Sequence, residues 1–369
     1  MRCKRVLLMY IHERSGHHKA ALALEKAFHR EDPSVKCLLV NEPRYIHPIL
    51  DKLIHNTYLE IIRKTPEVWE YLYDNPKVLK NTIRLRQAIR RSHSVKFKKL
   101  LDNFKPDAIV CTQAFPCGIA AEHKTSFGYP APLYGVLTDF LTHSYWLLGE
   151  VDRYFVATEE AKRILTENGI FEDRITVSGI PIDPSFCEKK TTSGQNAKAP
   201  VVLVMGGSQG LGPIEEIVRA LDKVSEHFEM VVAVGQNKGL FKRLGRLKKL
   251  LRKKLTVHAY LEDVAESMQN AFLLISKPGG LTVAQALALR LPIIFIDPVP
   301  GQESKNASLL LKHRAAIEAK SGEEAALFVS QLLGAPAKME LMKKNMALIA
   351  HPDAAVKIAK HVLYGNAQN

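Results

Sequence analysis

The sequence predicts an α/β protein of two Rossmann-like domains facing a central cleft, and three observations predict it. The chain has 369 residues, enough for two cores at roughly 100–200 residues per domain. Short runs rich in Val, Ile and Leu alternate with helical stretches through both halves, the pattern of parallel sheets with right-handed crossovers. A single polar stretch, 188–199 (EKKTTSGQNAKA), lacks any large apolar residue and separates the two alternations.

In order, residues 6–10, 35–41, 108–112, 133–137 and 154–157 read as buried strands of the first half. Helices fit 20–30 and the long stretch 48–103. The predicted boundaries are a first domain at 1–187, the linker at 188–199 and a second domain at 200–350, with a terminal helix in 351–369 expected to pack back on the first domain. Strands of the second half fall at 201–205, 229–234, 255–260, 272–276 and 292–296. In such sheets ligands bind beyond the carboxyl ends of the strands, so the loops after strands are where chemistry is sought.

Composition narrows the class. Apolar residues make up 46% of the chain, which excludes disorder, and no apolar run approaches the ~18–20 residues of a spanning helix. The start, MRCKRVLLMYIHERSGHH, is basic, but its apolar stretch 6–11 is too short for a signal-peptide core, so a cytoplasmic protein is expected. Five cysteines with no CxxC pair read as reduced thiols packed as small hydrophobes. A net charge of +14 points to anionic partners.

Four post-strand loops carry the chemistry. Ser15-Gly16-His17-His18 opens the first helix, where free N–H groups and a histidine of ordinary pKa near 6.5 suit a general base. Met205-Gly206-Gly207-Ser208-Gln209-Gly210-Leu211-Gly212 reads as a phosphate cradle between strand and helix. It also fits G-x-S-x-G, the hydrolase elbow, leaving a serine hydrolase of Ser208, Asp297 and His313 as an alternative. Lys277-Pro278-Gly279-Gly280-Leu281-Thr282 joins an exposed helix start to a cation, the setting for a diphosphate. In Gly301-Gln302-Glu303-Ser304-Lys305-Asn306, side chains at a helix start can grip sugar hydroxyls, or merely cap the helix. GxxxxGK[ST], strand-borne GxGxxG and HExxH are absent, so neither a P-loop, an NAD site nor a metal is expected.

Taken in order, SGHHKAALAL, PDAIVCTQAFPC, TDFLTHSYW, VSGIPIDPSF, VMGGSQGLG and SKPGGLTVAQALALRLPIIFIDPVPGQESKNA resemble the monogalactosyl- and processive glucosyl-diacylglycerol synthases of glycosyltransferase family 28, which have the two-domain GT-B architecture. The resemblance runs from Lys4 to about Lys360. GGSQG is also similar to the related N-acetylglucosaminyl transferase that acts on a lipid-linked cell-wall precursor, which is the runner-up activity.

The resemblance implies an inverting transfer of glucose or galactose from a UDP-sugar to a diacylglycerol-type lipid, with no cofactor or metal. The first domain would take acceptor and membrane, the second the nucleotide sugar. His17 would be the catalytic histidine, assisted or oriented by Asp139, with Gly16 beside it at the donor. Gly207 and Ser208 would approach the diphosphate, Lys277, Gly279, Gly280 and Thr282 would hold phosphate oxygens, and Tyr260–Leu261 backbone would meet uracil. Gln302 and Glu303 would read sugar hydroxyls with Asn306 alongside. Gln285 stands where the family usually carries a ribose-binding glutamate, at the loss of a charge-assisted bond about twice as strong.

Basic residues cluster twice. Residues 77–105 hold ten Lys/Arg against Asp102 alone, interleaved with apolar residues, and read as a surface for an anionic membrane on its inner face. Residues 238–254 hold nine and no acid, and read as a soluble helix face. Charge alone would also fit a non-catalytic lipid- or nucleic-acid-binding protein, but no stacking motif supports nucleic acid.

Overall fold

In a computed structural model, residues 3–13, 15–41, 96–188, 199–261 and 263–365 are described. Most of the predicted linker and of the long stretch 48–103 therefore lies outside the described residues. The chain divides into two compact units. One comprises Met1–Pro184, Pro300–Gln302 and His351–Asn369, the other Ser185–Val299 and Glu303–Ala350.

Strands β1 (Arg5–Tyr10), β2 (Lys36–Asn41), β3 (Ala108–Cys111), β4 (Leu133–Val136), β5 (Arg153–Val156) and β6 (Ile175–Val177) build the first unit's sheet, all parallel, in the order β2-β1-β3-β4-β5-β6. Helices α1 (Gly16–Glu31), α2 (Ala114–Phe127) and α3 (Glu159–Glu167) follow β1, β3 and β5, and residues 96–104 are helical before β3. The sequence RVLLMY is apolar after its first residue because both faces of β1 are covered. Val6, Leu8 and Tyr10 pack with Leu24 and Phe28 of α1, while Leu7 and Met9 pack with Phe97 and Leu101 on the other side.

The second unit repeats the scheme with β7 (Val201–Met205), β8 (Glu229–Ala233), β9 (Leu255–His258), β10 (Leu273–Ser276), β11 (Ile293–Ile296) and β12 (Ile317–Ala319), in the order β12-β11-β10-β7-β8-β9. Its helices are α4 (Ile214–Asp222), α5 (Lys238–Leu247), α6 (Val264–Gln269), α7 (Gly280–Leu289), α8 (Gln302–Lys312), α9 (Gly322–Gly334) and α10 (Pro336–Leu348). This strand order is that of the dinucleotide-binding Rossmann sheet, with its switch point between β7 and β10. Register places Met205 opposite both Ser276 and Ala233, so three post-strand loops leave the sheet at one level.

The last helix, α11 (Ala354–Tyr364), packs on α1 in the first unit, burying Ile358, Ala359 and Val362. Strands β6 and β12 escape the sequence pattern because each has three residues, too few for periodicity to register. Of the five free cysteines, Cys3, Cys111 and Cys117 are buried, while Cys187 is exposed. Burial pushes the Cys3 thiol up to about 11 and the half-buried Cys37 thiol up to about 12, which suppresses the reactive thiolate.

Candidate active site

In the first unit the switch point falls between β1 and β3, and the loops after these strands meet there. Ser15 caps α1: its hydroxyl accepts the His18 N–H at 3.1 Å and donates to the Ile11 carbonyl at 2.7 Å. Gly16 is exposed as the helix's first residue. The cap fixes the next two side chains differently. The His18 ring stacks on Tyr10 with centroids 4.4 Å apart. His17 turns inward, its Nδ1 donating to the Thr112 carbonyl at 3.0 Å, with Thr138 Oγ1 2.8 Å from the same nitrogen.

A carbonyl oxygen only accepts, so Nδ1 carries the ring proton and Nε2 keeps its lone pair. Thr112 grips this segment twice, because its hydroxyl donates to the His17 carbonyl at 2.9 Å. Burial holds the His17 imidazole down to about 4, and the Thr112 carbonyl opposes that only in part. The ring is therefore neutral, with one nitrogen committed and the other basic. Thr112 and Thr138 thus orient His17 through Nδ1. The Asp139 carboxylate accepts a hydrogen bond from the amide of Gln302, which belongs to the same unit.

In the second unit, the loop after β7 turns through left-handed backbone at its glycines. Gly207 and Gly210 have φ of +67° and +61°. A Cβ on Gly210 would sit 1.9 Å from the Val234 carbonyl oxygen, while one on Gly207 would meet nothing within 4 Å. Gly210 is thus pressed against the scaffold and Gly207 is open to a ligand. The turn after β8 braces this loop: the Gln236 N–H donates to the Ser208 carbonyl at 2.9 Å and Asn237 Nδ2 donates to the Gly210 carbonyl at 3.0 Å. The Tyr260 hydroxyl adds a bond to the Ser208 carbonyl at 3.2 Å. Tyr260, expected to offer backbone to a base together with Leu261, thus also supports the cradle through its side chain.

Across the switch point, Ser276 ties β10 to β7 by donating to the Met205 carbonyl at 3.0 Å. Helix α7 then starts on Gly279, a cap with no side chain to satisfy the first-turn N–H groups, and its first turn has no acid. Gly280 and Thr282 lie in that turn and Gln285 one turn later, half-buried. Just before it, Lys277 has only 9% of its side chain exposed, with Nζ 3.5 Å from Glu303 and 4.0 Å from Asp297. Asp297 itself has φ of +42°, an unusual conformation for a residue with a Cβ.

Two sugar-reading candidates have structural duties. One carboxylate oxygen of Glu303 approaches Lys277 and accepts the Val299 N–H at 2.8 Å, as a helix cap does. Asn306 is 1% exposed, and its amide donates to the Pro278 carbonyl at 3.1 Å, bracing the glycine turn from behind. Thr112, Thr138 and Asn237 were missed by the sequence reading. VGQN after β8 is itself a glycine-bearing post-strand loop and is the signal that could have found Asn237.

The monogalactosyldiacylglycerol synthase domain model matches residues 17–182, and the glycosyltransferase family 28 C-terminal domain model matches 201–362. A processive diacylglycerol beta-glucosyltransferase of Bacillus cytotoxicus is 30% identical over 98% of this chain and 94% of its own length. One from Bacillus cereus is 31% identical with the same coverage. Among solved structures, MurG of Acinetobacter baumannii superposes with a TM-score of 0.62 at 17% identity, covering 97% of this chain and 99% of that one. The calicheamicin glycosyltransferase CalG4 does so with 0.64 at 14% identity, covering all of both chains. At these identities the structural likeness speaks for the fold, which is that of GT-B glycosyltransferases.

Proposed function

We propose the activity from the family: the chain belongs to glycosyltransferase family 28, and we infer that it moves a hexose from a UDP-sugar to a diacylglycerol-type acceptor with inversion. The observation that carries the donor half is the start of α7, a glycine-capped helix with no acid in its first turn and a buried lysine beside it. A leaving diphosphate gathers negative charge, and oriented N–H groups and Lys277 meet that charge without reorganising. Gly207, the open glycine of the cradle, lets backbone approach a phosphate oxygen.

The acceptor half rests on His17. Its Nε2 takes the proton of the acceptor hydroxyl as that oxygen attacks the anomeric carbon. The bond from this carbon to the diphosphate breaks on the opposite face, UDP leaves with the electron pair, and the configuration inverts. Asp139, held by Gln302, assists on the acceptor side. The named relatives act on diacylglycerol, which supports a lipid acceptor here.

Such an acceptor lives in a membrane, and no helix among the described residues is long and apolar enough to cross one. Peripheral attachment to the inner face through basic residues 77–105 fits. Of these, 96–105 are described, and Lys96, Lys98 and Lys99 are exposed on the helical residues 96–104.

The test is direct. Purified chain with UDP-glucose or UDP-galactose and diacylglycerol in vesicles should yield glycolipid and UDP. His17→Gln should lower kcat by about 10²–10⁴, the usual contribution of a positioned base, with little change in UDP binding. Absence of glycolipid with both donors refutes the reading.

A further inference from the structure

We propose that the 238–254 face of the second unit is a docking surface for an anionic lipid bilayer. Helix α5 buries Leu240, Leu244 and Leu247 in the core, and the helical period then puts Lys242 and Arg246 on the opposite side, with Lys249 exposed in the turn that follows the helix. The stretch contains nine cations and no acid. Neighbouring carboxylates neutralise three of them: Arg243 meets Glu215 at 2.9 Å, Lys254 meets Glu229 at 2.9 Å and Arg252 meets Asp222 at 3.7 Å. Lys242, Arg246, Lys248 and Lys249 are exposed and have no carboxylate partner among the described residues.

Two large apolar side chains stand out from the same run, Phe241 at 42% exposure and Leu250 at 79%. A helix face that only has to be soluble gains nothing by exposing them among uncompensated cations. An anionic bilayer satisfies both features, phosphate headgroups meeting the ammonium and guanidinium groups while Phe241 and Leu250 enter the acyl boundary. Nucleic acid matches the charge but not an exposed leucine, and stacking would require an array of rings.

The surface is coupled to the donor cradle. Asn237 Oδ1 accepts the Leu240 N–H at 2.9 Å, capping α5, while its Nδ2 holds the Gly210 carbonyl. Asn237 therefore ties the start of α5 to the cradle. This rests on the proposed lipid-acceptor reading for its purpose, but the binding itself needs neither donor nor acceptor.

The experiment is sedimentation of the full chain with vesicles of phosphatidylcholine alone or mixed with phosphatidylglycerol. Each cation near an anionic surface contributes about 1 kcal/mol, about fivefold, so Lys242→Glu/Arg246→Glu/Lys249→Glu should weaken binding to the mixed vesicles by about 100-fold. Melting temperature and its rise with UDP should stay unchanged. If the triple variant unfolds, Lys249→Glu alone should give about fivefold. In Phe241→Trp, fluorescence emission should shift to the blue on the mixed vesicles and not on phosphatidylcholine.

Binding within about twofold of wild type in a folded charge-reversed variant overturns the proposal, being well short of the loss that removing three cations requires. An emission of the Phe241→Trp variant that stays unshifted on bound vesicles overturns it as well. So does a triple variant that loses binding to an RNA oligomer while keeping it to vesicles. A chain that makes no glycolipid yet binds vesicles through this patch refutes the transferase reading and leaves the docking surface standing.

Discussion

Asn237 offers a clean separation between a bond that holds a helix and a bond that shapes the site. Its Oδ1 caps α5, and its Nδ2 holds the Gly210 carbonyl in the cradle. Asn237→Ala removes both: a lost cap costs about 1 kcal/mol and a lost neutral hydrogen bond about another 1, so stability should fall by roughly 2 kcal/mol. Asn237→Ser keeps a capping oxygen and loses only the long donor, so stability should fall by about 1 kcal/mol. Both variants take this side-chain bond away from the Gly210 carbonyl. Urea unfolding followed by circular dichroism measures the first quantity, and calorimetric titration with UDP measures the second. UDP affinity should drop by about fivefold in both variants, since a site that must reorder before binding gives up about 1 kcal/mol. If Asn237→Ser binds UDP as wild type does, the cradle does not depend on this brace and the reasoning fails.

Gly207 and Gly210 of the same loop should behave in opposite ways. Gly210→Ala drives a Cβ into the Val234 carbonyl and should cost several kcal/mol in urea unfolding, whereas Gly207→Ala meets open space, should cost roughly 1–2 kcal/mol of backbone strain, and should lose UDP binding out of proportion. Because burial holds His17 at about 4, the acid limb of kcat/KM should lie near pH 4 rather than 6.5, and a limb at 6.5 would mean another group is the base. His361 on α11 meets the Phe155 ring edge-on at 5.3 Å, and burial, then Arg153, lowers it to about 4 as well. Between pH 6.5 and 4 the unfolded chain binds more protons at such a histidine, so stability should decrease as the pH is lowered through that window. His361→Phe should flatten that slope in urea titrations at about pH 7 and about pH 4.5, which bracket most of that window.

How much of this was legible in the sequence depends on the range of the interaction. Strands such as VVLVM and PIIFI declare themselves because a strand covered on both faces must be apolar at every position, a local rule. The glycine turns GGSQG and KPGG are local too, since backbone dihedrals and helix starts are decided within a few residues. The three-residue edge strands β6 and β12 were too short to leave a pattern.

Partnership was beyond the sequence. His17 and Thr112 are 95 residues apart, and His17 and Thr138 are 121 apart; they meet because β1, β3 and β4 lie side by side in the sheet and the loops after them leave at the same end, a fact of sheet order. Only that meeting decides which histidine nitrogen keeps its lone pair, and which of two adjacent histidines turns inward. Asn306 and Glu303 show the same limit: their residue types suited a sugar, but packing commits Asn306 to the Pro278 carbonyl and Glu303 to Lys277 and the Val299 N–H. Backbone conformation is set by neighbours along the chain, whereas a side chain's charge state and free valence are set by whatever the fold brings against it.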